Sequence, residues 1–426
     1  MRHVPRRACG AVLAFVALAA PLSAFAKPVT DKSPYIVVDV ETGAVLADRE
    51  ADQPWYPASL TKLMTAYVTF KAMADGKITP ATKVVETANA AAQEPVKMGF
   101  PVGTKMSLDN ALKMMIVPSA NDIAVAIAEA VGGNSNDFVG TMNGEATRLG
   151  MAHSHFENPN GLPGSNHVST ARDLAVLARQ IWSEFPEQRS LFGIQAIQSG
   201  DSVFHSPNLM LLERYRGAQG MKTGFTCEAG YNLAATATRN GRTLLVIVLG
   251  RTSSSDRAEL AARLLDGAFA AKPSDTAPTV LASFTDTASD PGPIDMRICS
   301  GSGVDRVGFS DSVLGPVVAV TDPVKVITDN PPAPPAAVAK STSSKSSGSQ
   351  SASTAGDRSS SKSSSSASAS KSGTTASKGS SGSKGAVSAS TKSGEAFAAA
   401  AAAAASAPLE DQSARDRVFK VFANDD

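Results

Sequence analysis

Cysteine is scarce here: three residues in 426, and Cys9 falls inside an apolar leader. That is too few for a fold held by a disulfide framework. The other two, Cys227 and Cys299, can pair in an oxidising compartment, which would tie the region around Cys299 to the Lys222 segment. Two free thiols fit the sequence equally well, because spacing gives no geometry. An excess of one charge is also missing. Forty Lys and Arg against 39 Asp and Glu leave a formal net charge of +1, which argues against a nucleic-acid binder. His155, His167 and His205 are not at metal-ligand spacing, so no metal or other cofactor is expected and loop or core-edge roles suit them better. No stretch after the leader is apolar for long enough to span a bilayer.

What is present begins with that leader. Arg2, Arg6 and Arg7 precede the apolar run Ala11–Ala20, and Ala24-Phe25-Ala26 supplies a small-residue cleavage site. Residues 1–26 therefore read as a signal peptide and the mature chain as an exported, periplasmic or envelope protein. Tyr35–Val40 and Ala44–Ala47 flank Glu41-Thr42-Gly43 as a β-hairpin. Helices are expected from Ser59, over Ser107–Met115, Asp122–Val131, Phe138–Leu149, Thr170–Phe185 and Asp256–Ala270. Strands are expected at Tyr231–Thr238 and Thr243–Leu249 around a tight Asn240-Gly241 turn. Hairpins at both ends with helices between predict an α+β domain over 27–270, its antiparallel sheet assembled from the two chain ends. Residues 271–329 read as a small segment or subdomain with strand-like runs at Val317–Val320 and Val324–Ile327. The Ser/Lys-rich stretch 330–394 cannot bury a core and reads as disordered linker. Residues 395–426 form an Ala-rich tail with a short basic, partly apolar end, which admits a weak membrane-surface contact.

Three short patterns carry chemistry. Ser59 and Lys62, three residues apart at a helix start, fall on one face. A serine hydroxyl needs a neighbour to take its proton, and a lysine can do so when burial or a second cation lowers its pKa. Ser119-Ala120-Asn121 interrupts a helical stretch after Pro118, and Lys222-Thr223-Gly224 begins a strand. Each has decoys, among them Ser359/Lys362 in the linker, Ser206-Pro207-Asn208 and Lys371-Ser372-Gly373, so no single match means much. In order, and each on the right element, the trio is a pattern shared by penicillin-binding proteins and class A β-lactamases.

From Pro34 to Ala270 the chain resembles the low-molecular-mass penicillin-binding proteins that act as D-alanyl-D-alanine carboxypeptidases (serine peptidase family S11). Beyond the trio, the matching stretches are Tyr56–Thr65, Phe156-x-Asn158-Pro159-x-Gly161-Leu162, Ser169–Ala175 and Lys222–Thr226. The resemblance implies a serine β-lactamase/DD-peptidase-like fold acting on peptidoglycan stem peptides and acylated by β-lactam antibiotics. It implies Ser59 as nucleophile, Lys62 as proton acceptor and Ser119 as proton relay to the leaving group. Asn121 would hold the substrate amide, and Lys222 and Thr223 its terminal carboxylate. Gly224 would permit close approach to the strand edge, and the backbone N–H groups of Ser59 and Phe225 would form the oxyanion hole. The competing readings are a class A-like β-lactamase with Glu157 as water activator, a DD-endopeptidase, and a non-catalytic wall-binding protein. Family members often add a second β-rich domain and an amphipathic membrane helix, whereas residues after Ala271 make at most a small version of the former.

Overall fold

The computed structural model describes residues 33–271, 279–285, 298–300 and 313–330. The expected leader, the tail and, apart from residue 330, the linker lie outside them. In chain order the elements are β1 (Tyr35–Asp39), β2 (Val45–Arg49), α1 (Lys62–Ala74), β3 (Lys83–Val85), α2 (Ala88–Ala91), β4 (Lys105–Ser107), α3 (Leu108–Ile116), α4 (Asn121–Gly132), α5 (Ser135–Arg148) and α6 (Ala171–Glu184). They continue as α7 (Arg189–Phe192), β5 (Ala196–Ser199), β6 (Ser202–His205), α8 (Leu209–Arg214), β7 (Ala218–Thr226), β8 (Gly230–Arg239), β9 (Arg242–Arg251), α9 (Ser254–Ala270) and β10 (Val324–Val326).

The main sheet has the order β2-β1-β9-β8-β7 and is antiparallel throughout. The amino-terminal hairpin thus docks on the last strand, as the pattern of hairpins at the two ends predicts. Strand β9 explains why the sheet must be covered twice. Its residues Leu244–Leu249 are apolar without a break, and the two-residue period of a strand sends them alternately to opposite faces. Leu244, Val246 and Val248 join Val37, Leu233 and Ala235 in a cluster completed by Ala258, Ala261 and Leu265 of α9. Leu245, Ile247 and Leu249 join Ile36, Val38 and Ala234 in the larger core containing Leu174 and Ala178 of α6. Asn240 (φ 51°) and Gly241 (φ 78°) both adopt the left-handed conformation that a two-residue hairpin turn requires.

Helix α1 is buried on every side from Lys62 to Phe70 and is the axis of the helical half. Side-chain caps start helices on both faces of the sheet. Ser107 accepts from the Asn110 N–H (3.2 Å), Thr170 from Asp173 (3.1 Å) and Ser253 from Asp256 (3.1 Å). Two corrections concern the connections. The stretch 88–104, where no helix or strand was expected, holds the short helix α2 and is bracketed by the small β3–β4 ladder. The β5–β6 hairpin falls in a segment for which no strand was expected.

The described parts of 271–329 pack on this same unit. Leu281 N–H donates to Gly43 O (2.8 Å), β10 runs parallel to β5, and Cys299 is disulfide-bonded to Cys227. Of the two strand-like runs, Val324–Val326 is a strand but Val317–Val320 is not. The N–H groups of Val318 and Ala319 both point at Glu213 O (2.7 and 3.3 Å) instead of at a neighbouring strand.

One buried carboxylate lacks hydrogen-bond partners on both oxygens among the described residues. It belongs to Glu86, at the end of β3, which is fully buried. Burial, then the nearby Asp122, pushes its pKa up to about 8. The folded state therefore holds a proton that the unfolded chain gives up from about pH 4.5, and stability falls as pH rises from there to about 8. Glu86→Gln removes that slope. Its gain in urea midpoint over the wild type should widen steadily between pH 5 and pH 8, and a constant gap would show that Glu86 ionises freely when folded.

Candidate active site

The turn that carries Ser59 is tighter than an α-helix. Ala58–Thr61 form a 3₁₀ turn, and α1 starts only at Lys62. The difference helps the pair: in a 3₁₀ turn residues i and i+3 eclipse, and Lys62 Nζ lies 3.0 Å from Ser59 Oγ. Ala58, immediately before the serine, has φ +49°, a strained conformation for a residue with a side chain.

Lys62 is completely buried and has two further contacts, Asn121 Oδ1 at 2.6 Å and the backbone carbonyl of Asn160 at 2.5 Å. Asn121 Nδ2 donates to Glu94 O (2.9 Å), which turns its oxygen toward the lysine. Both contacts are acceptors, so a neutral Lys62 amine spends its two N–H bonds on them and its lone pair is left facing the Ser59 hydroxyl. Burial first, and Lys222 second, hold Lys62 well below the usual lysine range.

Lys222, on β7, is also buried. It donates to Ser119 Oγ (2.8 Å) and to Thr223 O (3.1 Å). Burial and the Arg257 guanidinium bring it down to about 7. Ser119 sits between α3 and α4 with φ +71°, a second strained residue at the same site. Ser59, Lys62 and Asn121 thus form one hydrogen-bonded group, and Ser119, Lys222 and Thr223 another.

Gly224 and Phe225 follow on β7. The close approach at Gly224 is made by the protein itself: a Cβ there would lie 2.8 Å from Pro57 O and 3.2 Å from Ser59 N. Phe225 is half-buried with its ring 4.3 Å from that of Tyr231. Among the described residues no group of three His, Cys, Asp or Glu side chains could hold a metal ion.

A model of the D-alanyl-D-alanine carboxypeptidases matches residues 23–253. The chain belongs to that family. It is 35% identical over 240 residues to the D-alanyl-D-alanine carboxypeptidase DacA of Haemophilus influenzae, covering 55% of this chain and 61% of that protein. It is 34% identical over 275 residues to DacC of Escherichia coli, covering 62% and 68%. The chain thus spans about two-thirds of the length of these relatives. The crystal structure of penicillin binding protein 5 from Haemophilus influenzae superposes with a TM-score of 0.55 at 33% identity, over 57% of this chain and 73% of that one.

Three supporting residues were not anticipated. Asn160 contributes a backbone carbonyl, which no side-chain pattern reveals, although the Asn-rich loop around it is a turn signal: Gly161 N–H donates to Asn158 Oδ1 (2.7 Å) and Leu162 N–H to Asn160 Oδ1 (3.0 Å). Asn232 is buried in β8 and donates to Tyr56 O (2.9 Å) and Pro57 O (3.2 Å) while accepting from Gly250 N–H (2.9 Å). It ties the sheet to the Ser59 turn, and a polar residue inside an apolar strand was its signal. Arg257, in α9, supplies the charge that lowers Lys222.

The packing and the coupled lysines yield two expectations. Gly161 has φ +87°, and a Cβ there would lie 2.0 Å from Ala58 O. Gly161→Ala should slow acylation of Ser59 by benzylpenicillin about 100-fold by displacing the turn; an unchanged rate would mean the loop does not hold it. Secondly, burial and Lys222 hold Lys62 well below the usual lysine range, and burial and Arg257 bring Lys222 down to about 7. The second-order acylation rate should therefore fall through about pH 7 on the alkaline side as Lys222 loses its charge. Lys222→Arg should abolish the alkaline limb, and a wild-type profile flat from pH 6 to 9 would refute the assignment.

Proposed function

We propose that the protein is an exported serine-type D-Ala-D-Ala carboxypeptidase of the periplasm or cell envelope, which removes the terminal D-alanine of peptidoglycan stem peptides and is acylated by penicillins. The observation that carries this reading is the 3.0 Å contact between Lys62 Nζ and Ser59 Oγ, on an amine whose other neighbours are both acceptors. Ser59 Oγ attacks the carbonyl of the penultimate D-alanine as its proton passes to Lys62. Negative charge develops on the carbonyl oxygen, where the N–H groups of Ser59 and Phe225 receive it. The C–N bond then breaks, and Ser119 Oγ, between the substrate and Lys222, carries the proton to the departing nitrogen. Water attacks the acyl-enzyme, gives a proton to Lys62, and Ser59 regains its hydrogen.

The remaining residues bind. Lys222 and Thr223 suit the terminal carboxylate, a charge-assisted contact, and Asn121, already oriented by Glu94 O, suits the substrate amide. A β-lactam presents a carbonyl and a carboxylate in a similar relation and enters by the same route. The β-lactamase alternative needs a carboxylate aimed at water beside Ser59. Glu157 does not favour it, being exposed with its carboxylate accepting from the Asn166 N–H (3.2 Å). Cleavage of crosslinks by the same residues would be a variant of this chemistry.

The test is intact mass against time for the purified protein mixed with benzylpenicillin, followed by D-alanine release from a pentapeptide. A single penicilloyl adduct that persists, D-alanine release from the pentapeptide, and loss of both in Ser59→Ala are expected. Rapid turnover of penicillin without a lasting adduct would shift the assignment to a β-lactamase, and absence of any adduct on folded protein would end the catalytic reading.

A further inference from the structure

His167 is a buried titratable group to which the acylation chemistry gives no task. It is 2% exposed, and the backbone that follows it is pinned. Val168 exchanges both backbone hydrogen bonds with His155 (2.9 and 3.0 Å), and Ser169 does the same with Trp55 (2.8 and 2.9 Å). The ring stands nearly perpendicular to that of buried Phe156, with 5.8 Å between centroids. Burial, then His155 and Lys62, hold the imidazole down to about 4, so it is neutral near pH 7. Its partners fix the tautomer. Nδ1 accepts the Glu157 N–H (3.2 Å), which leaves the ring hydrogen on Nε2, donated to Thr61 Oγ1 (2.7 Å).

The partner on the Nε2 side is what gives this ring a task. Thr61 lies between Ser59 and Lys62, is the N-cap of α1 and is fully buried, yet its side chain caps nothing in that helix. A threonine at an N-cap ordinarily accepts from a first-turn N–H. Here its oxygen serves His167 instead. On the other side the ring holds the backbone of Glu157, which opens the loop that supplies the Asn160 carbonyl to Lys62 (2.5 Å). One imidazole thus joins the turn bearing Ser59 and Lys62 to the loop that orients Lys62. Thr65 Oγ1 also donates to that loop, at Pro159 O (2.6 Å). That tie reaches the body of α1, whereas His167 reaches the turn.

We infer that His167 is a positioning residue for acylation: by bridging Thr61 Oγ1 and the Glu157 N–H, it fixes the spacing between the Ser59 turn and the Asn160 loop. The inference rests on Ser59 being the acylated nucleophile. A buried bridge removed without replacement leaves both partners unsatisfied, and small displacements of a reacting pair are costly in rate. The test is the second-order acylation rate of the purified protein with benzylpenicillin, read by intact mass, with a thermal melt of each variant. His167→Ala should be slower by about 20-fold. His167→Gln, whose amide N–H can still donate to Thr61, should recover to within about three-fold of the wild type. Thr61→Val should be slow alone and, combined with His167→Ala, no slower than the slower single variant. An unaltered rate in folded His167→Ala, an equal loss in the Gln and Ala variants, or single losses that multiply in the double variant would each overturn the assignment. Should His167→Ala fail to fold, Thr61→Val decides: a loss of about ten-fold supports the bridge and a wild-type rate overturns it. No adduct on folded wild type would overturn the Ser59 reading and this inference together.

Discussion

A lysine amine excluded from water is the constraint on which this structure turns. Lys62 contributes nothing as an ion, because burying an ammonium costs several kcal/mol and a like charge stands nearby on Lys222. As a neutral amine it fits, with two carbonyl acceptors for its hydrogens and a hydroxyl at its lone pair. Those partners come from separate parts of the chain: the 3₁₀ turn, the start of α4 and the Asn160 loop. Each must therefore be held by something other than the lysine itself.

The sheet and the surrounding loops supply that hold. Asn232 clamps Tyr56 and Pro57 from β8, Gly224 lets β7 lie against the same turn, and Gly161 lets the Asn160 loop close over Ala58. These are backbone-to-backbone approaches that any Cβ would block, and they explain why glycine stands at both places. Left-handed Ala58 and Ser119 show the cost of the arrangement: local conformation is unfavourable at two positions of the site, and the packed core on either face of the sheet overrides it.

Much of this was legible in the sequence, for identifiable reasons. Short apolar, β-branched runs, the Asn240-Gly241 turn and Ser or Thr caps are local signals, so β1, β2, β8, β9 and most long helices could be read directly. That Ser59 and Lys62, and the Ser119, Asn121 and Lys222 groups, belong together was legible because side-chain identity carries their chemistry. What escaped was held by tertiary context. The β3–β4 and β5–β6 ladders are only three or four residues per strand, too short for periodicity to register. Asn160 acts through its backbone, and Arg257 acts at a distance from a helix that reads as ordinary and amphipathic. The Cys227–Cys299 bond was undecided for the same reason, since pairing across 72 positions is a tertiary fact that no local pattern encodes.

The docking of β1 on β9 has a consequence for how the molecule is made. Ser33 Oγ donates to Gly250 O across 217 positions, and β1 pairs with β9 along its whole length. A chain emerging amino-terminus first exposes Ile36, Val37 and Val38 long before the strand that covers them exists. The central sheet cannot close until nearly the whole unit has been delivered, so folding is a late, non-local event with a high entropic threshold. Until then the hairpin offers an unpaired apolar edge, and a holding factor that binds extended apolar segments would find its natural target there.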